Sequence, residues 1–321
     1  MHALTLIAHG APAQALQLQP QIRPHPAPGE LLVRVLASPI DPADVLVVAG
    51  HYPVLPQFGT IPGLEGVGRV EAVGEGVDDA WLGSLTLLPM RSSPWATWAC
   101  VPRSTSLQLP DLDPIQACML RLNPPSALDL IDGLAPGSWL IQSPGAGAVG
   151  QCIIQLARTR GLHTVSLIRR ESRRERLESL GADAVFHQDT KGLRRQVRAL
   201  IDGAPLTRAI DGSGGPVVDR MASCLDPGGE VLCYGSASRQ PAQLSVRNSV
   251  FNDISMRGYW LYRENAKRPH AESARLLALA EEMQAGRLDL QVAGVFPLQD
   301  WEAAFDLARS GERFGRVVLQ P

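Results

Sequence analysis

The chain is poor in aromatic residues (5%) and in charge (19%), and neither sign of charge dominates: 30 Lys and Arg face 32 Asp and Glu, a formal net charge of -2. So even a balance gives no field for nucleic acid or an acidic membrane surface. The arginines near 169–176 and 194–198 are local clusters without interleaved stacking aromatics. No apolar run approaches the roughly 18 residues of a membrane-crossing helix. The N-terminus lacks a basic segment followed by an apolar stretch of signal length, so a cytoplasmic protein is expected. Cysteines number only five, at 100, 118, 152, 224 and 233, and read as small buried hydrophobes. With no CxxC and no HExxH run, a zinc site would have to be assembled from distant single residues, and no metal is expected.

Glycine, by contrast, is plentiful at 30 residues, and one group of it organises the chain. Ser138–Ser143 reads as a short buried strand, residues 144–150 (Pro-Gly-Ala-Gly-Ala-Val-Gly) as a turn, and 151–161 as a helix. A dinucleotide site has that layout: Gly145 makes the tight turn, Gly147 lets the backbone approach a pyrophosphate, and Gly150 permits close helix–strand contact. A helix opening near Ala148 and Val149 turns free N–H groups and a positive dipole end toward the phosphates. The next strand, His163–Ile168, ends in Arg169 and Arg170, with Arg173 and Arg174 beyond. An NAD site expects an acidic residue there to hold the ribose 2′-hydroxyl; arginines suit a 2′-phosphate, so the expected cofactor is NADPH. Glu171 and Glu175 lie in the same cluster, so a self-paired helix start is the competing reading.

A chain of 321 residues is expected to divide into two domains. Residues 1 to 122 read mostly as short strands among glycines: Leu4–Ile7, Leu16–Gln19, Glu30–Ala37, Gly66–Gly74, Trp81–Pro89 and Trp95–Val101, the first two separated by a loop. That pattern suits a small, bent, partly open barrel. From Asp113 to Leu134 the period turns helical, with Asn123-Pro124-Pro125 as a break and Ser126 as a cap. Strand–helix units follow to about residue 235, as in a parallel doubly wound sheet. Ile254–Trp260 is a further strand, and the segments after it are expected to return to the first domain. The domains are therefore drawn as 1–122 with 262–321, and 123–261.

In this order of parts the chain resembles the medium-chain dehydrogenase/reductase superfamily. It is most similar to the zinc-free, mitochondrial-type 2-enoyl thioester reductases, with quinone oxidoreductases as neighbours. The resemblance runs the whole length and is carried by residues 41–44 (Asp-Pro-Ala-Asp), 50–56 (Gly-His-Tyr-Pro-Val-Leu-Pro), 62–66 (Pro-Gly-Leu-Glu-Gly), Asn123-Pro124, the glycine loop and 251–261. It implies a GroES-like partly open β-barrel domain beside a Rossmann-type doubly wound α/β domain. The zinc alcohol dehydrogenases of the superfamily carry a ligand cysteine at the position matched by Asp41 and a ligand histidine at that matched by Leu64. Leucine cannot bind a metal, and two isolated carboxylates at Asp44 and Glu65 do not make a soft tetrahedral site.

Without a metal, the reaction that fits best is hydride delivery to an activated alkene. A 2-enoyl thioester would take hydride at C3 and a proton at C2, leaving the protein to supply position, stabilisation of the enolate oxygen and an acid. Tyr52, in a short loop between His51 and Pro53, is the expected acid, the role of the matching tyrosine in the enoyl reductases this chain resembles. Asp41 lies where those relatives carry Asn, near the nicotinamide; a carboxylate there needs a partner or a raised pKa. The resemblance sets Trp260 by the substrate pocket and Asn123 at the segment carrying the nicotinamide end. Tyr234 and Arg316 complete the expected cofactor set, although Arg257 and Arg316 are equally read as partners of Asp or Glu. Three functions stay open: an enoyl thioester reductase for CoA or acyl carrier protein substrates, a reductase of quinones or small α,β-unsaturated carbonyls, and a non-catalytic dinucleotide-binding protein. A homodimer through the edge strand at 254–260 is expected, as in relatives.

Overall fold

The computed structural model describes residues 2–268 and 270–321 and separates into two compact units. The first unit takes the chain to Leu122 and resumes at Ser273; the second is Asn123–Glu272, against an expected end at 261.

In the first unit β1 (His2–Leu6) pairs antiparallel with β2 (Leu16–Pro20). The segment between them, read from sequence as plain loop, holds one short helix, α1 (Pro12–Ala15), which opens on a proline whose missing N–H is no loss there. The centre of the unit is β3 (Glu30–Ile40), followed by α2 (Pro42–Val48), β4 (Val67–Val73), β5 (Leu85–Leu87), β6 (Trp98–Pro102), β7 (Leu107–Gln108) and α3 (Pro114–Ala117). Both β4 and β6 pair antiparallel with β3, and β5 links β4 to β7. The β3–β4 register slips twice, between Leu32 and Val33 and between Val35 and Ala37, which bends the sheet as the glycines predict. Gly68 is required by the close approach: a Cβ there would sit 2.3 Å from the Arg34 carbonyl oxygen. Leu31, Val33, Val35, Val70, Trp81 and Val101 form the buried cluster inside this bend.

The second unit opens with α4 (Asn123–Leu130), and here the sequence reading needs correction. Asn123-Pro124-Pro125 does not break the helix; it starts it, because proline in a first turn forfeits no helical hydrogen bond, and Ser126 lies buried inside rather than capping. Then come β8 (Trp139–Ser143), α5 (Ala148–Thr159), β9 (His163–Ile168), α6 (Arg174–Ser179), β10 (Ala184–His187), α7 (Leu193–Ile201), β11 (Leu206–Asp211), α8 (Val217–Ala222), β12 (Glu230–Cys233) and β13 (Ser255–Gly258). All six strands are parallel, in the order β10-β9-β8-β11-β12-β13. The chain lays β9 and β10 to one side of β8 and then crosses to β11 on the other. That reversal is a topological switch point, where ligands of such sheets bind beyond the carboxyl ends of the strands. The strand expected at 254–260 is shorter, and Trp260 instead precedes α9 (Leu261–Lys267). This helix stays with the second unit, where Leu261 is buried and the Arg268 guanidinium lies 3.6 Å from the Asp129 carboxylate of α4.

The chain returns to the first unit through α10 (Glu272–Gln284), β14 (Val292–Pro297), α11 (Trp301–Arg309) and β15 (Arg316–Gln320). β15 pairs antiparallel with the end of β3 and parallel with β14. Among the described residues no helix is long and apolar enough to cross a membrane.

Candidate functional site

The glycine loop follows β8 at the switch point, and Gly145 and Gly150 have no room for a side chain. A Cβ on Gly145 would lie 2.7 Å from the Ser166 Cβ, and one on Gly150 2.6 Å from the carbonyl oxygens of both Gly145 and Pro144. Gly147 is the extended N-cap residue of α5, so the N–H groups of Ala148 and Val149 open that helix, the positive end of a 12-residue dipole. The loop is pinned from below: Gly145 N–H donates to the Leu167 carbonyl (2.8 Å), and the Gln142 side-chain amide donates to the Gly150 carbonyl and the Ser166 hydroxyl, both at 3.0 Å.

Beside this loop is a cavity of about 340 Å³, lined by Pro144, Arg169, Asp189 and Ser213, which follow β8, β9, β10 and β11, and by Arg220 of α8 and Ser238 among others. Arg169 and Arg170 are exposed where β9 ends. Arg174 is in a different situation. It forms an ion pair with Glu171 and donates to the Val185 carbonyl, so the self-paired alternative holds for this arginine. Ser213, Gly214 and Arg220 were missed from sequence. The signal was present: the run 211–216, Asp-Gly-Ser-Gly-Gly-Pro, is a second glycine turn after a strand. Its geometry is built by Asp211, whose carboxylate accepts the N–H groups of Ser213 (3.0 Å) and Gly214 (2.8 Å). Burial pushes the Asp211 carboxyl above its ordinary value, and those two bonds oppose the rise.

The remaining predicted residues of the second unit lie on other elements. Asn123 is buried at the start of α4, and the Tyr234 ring packs on Gly212, where a Cβ would fall 2.4 Å from it. Trp260 is 38% exposed and stacked with Tyr262, ring centroids 5.6 Å apart.

In the first unit, Asp41 and Arg316 meet. Both are buried, and the Arg316 guanidinium lies 3.0 Å from Asp41 Oδ1, which supplies the partner that a carboxylate at this position needs. Arg316, read from sequence either as part of the cofactor set or as the partner of an acid, is paired with Asp41 inside this unit. Asp41 precedes α2, a helix the sequence reading missed, and its N–H donates to Asp44 Oδ2 (2.8 Å). Glu65 completes the cluster: Oε2 accepts the N–H groups of Arg121 (2.9 Å) and Leu122 (3.0 Å). Burial first and the Asp41 charge second drive Glu65 well above the usual carboxylate range, and Asp44 shifts the same way for the same two reasons. Leu64, preceding Glu65 in the chain, is buried and apolar. Among the described residues no three His, Cys, Asp or Glu side chains are arranged to hold a metal ion.

Tyr52 stands just past the other end of α2. His51 N–H donates to the Leu46 carbonyl (2.8 Å) and Gly50 N–H to that of Val47 (3.0 Å), so the helix hands its direction directly to the loop. Gly50 has φ +77° and packs against His9, a turn few other residues would take. Tyr52 itself is half-buried, with Val54, Leu55 and Phe58 exposed after it.

With this geometry in place, comparison with known proteins is informative. Residues 27–108 match the family described as alcohol dehydrogenase GroES-like domain, and residues 148–282 the family described as zinc-binding dehydrogenase. The chain is 31% identical to the mitochondrial enoyl-[acyl-carrier-protein] reductase of Rattus norvegicus over 95% of its own length and 85% of the relative's. To a protein of the same name from Caenorhabditis elegans it is 34% identical, covering 93% and 89%. Among solved structures, a protein provisionally named NADPH:quinone reductase from Bacillus thuringiensis superposes with a TM-score of 0.90 at 26% identity, covering 100% of this chain and 98% of that one. A mutant form of the enoyl thioester reductase from Candida tropicalis has the same fold, with a TM-score of 0.90 at 22% identity and coverage of 100% and 99%.

Proposed function

The chain belongs to the medium-chain dehydrogenase/reductase superfamily, and from that premise we propose that it reduces the C2–C3 double bond of a 2-enoyl thioester with NADPH as the hydride donor. The observation that carries this reading is the identity of 31% to 34%, over more than nine tenths of the chain, with proteins named enoyl-[acyl-carrier-protein] reductase. Whether the thioester is carried by CoA or by a carrier protein is decided by assay of both forms.

The residues present fit the cofactor. A glycine loop without space for a Cβ at Gly145 or Gly150, opening a 12-residue helix at a switch point, suits a pyrophosphate. Arg169, at the rim of the neighbouring cavity, and Arg170 suit a 2′-phosphate. When bound, NADPH supplies a hydride and thereby the two electrons of the reduction. The chain's own work is then to hold the thioester, to stabilise negative charge on its oxygen, and to protonate C2. Tyr52 is the proposed donor: a phenol is protonated at neutral pH and releases its proton once an enolate forms. Exposed Val54, Leu55 and Phe58 give that loop an apolar lip suited to an acyl chain. Asp41, held by Arg316, acts by fixing α2 behind Tyr52 rather than by touching substrate. The exposed edge strand β13 is the proposed dimer seam, checked by sedimentation at micromolar concentration.

Reduction of a quinone is the second reading, favoured by the 26% identity over the full chain with the protein named for that activity. Steady-state assays with NADPH and NADH against crotonyl-CoA, a longer enoyl-CoA and a quinone separate the two. The expected result is turnover of the enoyl thioesters with strong NADPH preference, and a loss of at least about tenfold in kcat for Tyr52→Phe. Failure of calorimetry to detect NADPH uptake overturns the cofactor assignment. Turnover of the quinone alone overturns the substrate.

A further inference from the structure

The segment Leu88–Trp95 enters none of the steps above, yet it is tightly built. Its backbone is anchored at both ends: Leu88 N–H donates to the Gly66 carbonyl (3.0 Å), and the Trp95 carbonyl accepts the Leu4 N–H (2.9 Å). Pro94 presses so closely on Gly63 and Gly66 that a Cβ on either would approach its ring to 2.6 and 2.7 Å. Between these anchors Arg91 and Ser93 both adopt left-handed backbone, φ 62° and 63°, a conformation rare for residues with a side chain. Two such residues in three positions mark a backbone held for a purpose other than its own comfort. What the turn achieves is visible at its tip. Arg91 N–H donates to the Leu64 carbonyl (3.0 Å), its guanidinium stands 5.5 Å from the centroid of the Tyr52 ring, and its Nη1 donates to the Val54 carbonyl (3.3 Å).

We propose that Arg91 is the positioning residue of the reaction: it stacks its cation on Tyr52 and clips the following residues, fixing the phenol for proton delivery and opposing the charge the phenol acquires. The proposal rests on reading Tyr52 as the acid. In that step the Tyr52 Oη–H bond breaks and the enolate electron pair, left by hydride addition at C3, forms the new C2–H bond. Tyr52 becomes a phenolate until solvent returns a proton, with NADPH as the reductant throughout. A guanidinium over the ring face is attracted to the neutral phenol by its quadrupole and still more to the phenolate. Arg91 thus favours the state after proton transfer over the state before it, as differential stabilisation requires. Arginine suits the position better than lysine because its planar cation can lie over a ring while an N–H still reaches a carbonyl.

The test is a double-mutant cycle with crotonyl-CoA and NADPH, using Arg91→Met, Arg91→Lys, Tyr52→Phe and the Arg91→Met/Tyr52→Phe pair. Arg91→Met is expected to lower kcat about five- to tenfold while the KM for NADPH stays within about twofold. Arg91→Lys is expected to recover part of the loss, and in the Tyr52→Phe background Arg91→Met is expected to change kcat by less than about twofold. Equal losses in both backgrounds, or no loss in either, overturn the proposal. A readout without turnover accompanies the cycle: 3-fluorotyrosine placed at position 52 should shift its fluorine NMR resonance when Arg91 becomes Met. An unmoved resonance in a folded variant overturns the pairing. If the wild-type protein reduces no enoyl thioester, the substrate reading fails, and the fluorine shift still decides for or against the Arg91–Tyr52 contact.

Discussion

Arg316 and Arg169 sit at strand ends, the first opening β15 and the second following β9, yet their surroundings are opposite. Arg316 is buried 3.0 Å from Asp41, in company with Asp44 and Glu65, whereas Arg169 is exposed at the rim of a cavity of about 340 Å³. A guanidinium within a dry acidic cluster stabilises the fold that encloses it, because removing one partner of a buried pair exposes the other to the full desolvation penalty. A guanidinium in water contributes little to folding and keeps its donors for a ligand. Two residues of one type therefore have separable roles, and the separation follows from burial.

The contrast breaks first at Arg316. Arg316→Met removes the cation from among three buried carboxyls and is expected to lower unfolding stability by about 3–5 kcal/mol in urea or guanidinium titration. In whatever fraction remains folded, the ratio of NADPH to NADH affinity should be unchanged. If that ratio fell while stability held, Arg316 would be a cofactor ligand after all and the division drawn above would be lost.

The same contrast explains what sequence alone made legible. The glycine loop, the alternation of strands and helices after it and the bent strands before it could be read, since each rests on local spacing: periods of two and of 3.6, and glycines where a Cβ has no space. Gly68 and Gly150 are examples, both set against a carbonyl oxygen. Partnerships between distant residues were not legible. Asp41 and Arg316 are far apart in the chain and come together only because β15 pairs with the end of β3. Helix α2 was overlooked because its Val45-Leu-Val-Val48 run favours strand by composition, while the Pro42 start and the Asp41–Asp44 capping bond override it. Arg174, in the same promising cluster, could be told from Arg169 only by seeing Glu171 and the Val185 carbonyl occupy it.

At the exposed member of the pair the expected effect is smaller and of another kind. Arg169→Ala should weaken NADPH binding about tenfold by calorimetry, leave NADH binding within about twofold, and leave the unfolding midpoint unmoved. Arg170→Ala in parallel divides the 2′-phosphate interaction between the two neighbours. Loss of NADH and NADPH affinity together would mean that Arg169 supports the cavity wall rather than reading the phosphate.

The smallest effect, and the finest test of the buried side, is one of pH. Burial and the nearby Asp41 charge raise the Glu65 carboxyl well above the ordinary glutamate range in the folded protein. The folded state therefore binds a proton that the unfolded state has released over the interval between the ordinary value and the raised one. Linkage fixes the sign: stability attached to this proton is full below the unfolded pKa and is lost as pH rises toward the folded one. Glu65→Gln keeps the carbonyl that accepts the Arg121 and Leu122 N–H groups and removes the group that titrates. Its stability should decline less steeply across that interval than that of the wild type, with the two curves converging toward acid. Parallel curves for the two proteins would mean that Glu65 does not hold an extra proton in the folded state across that interval.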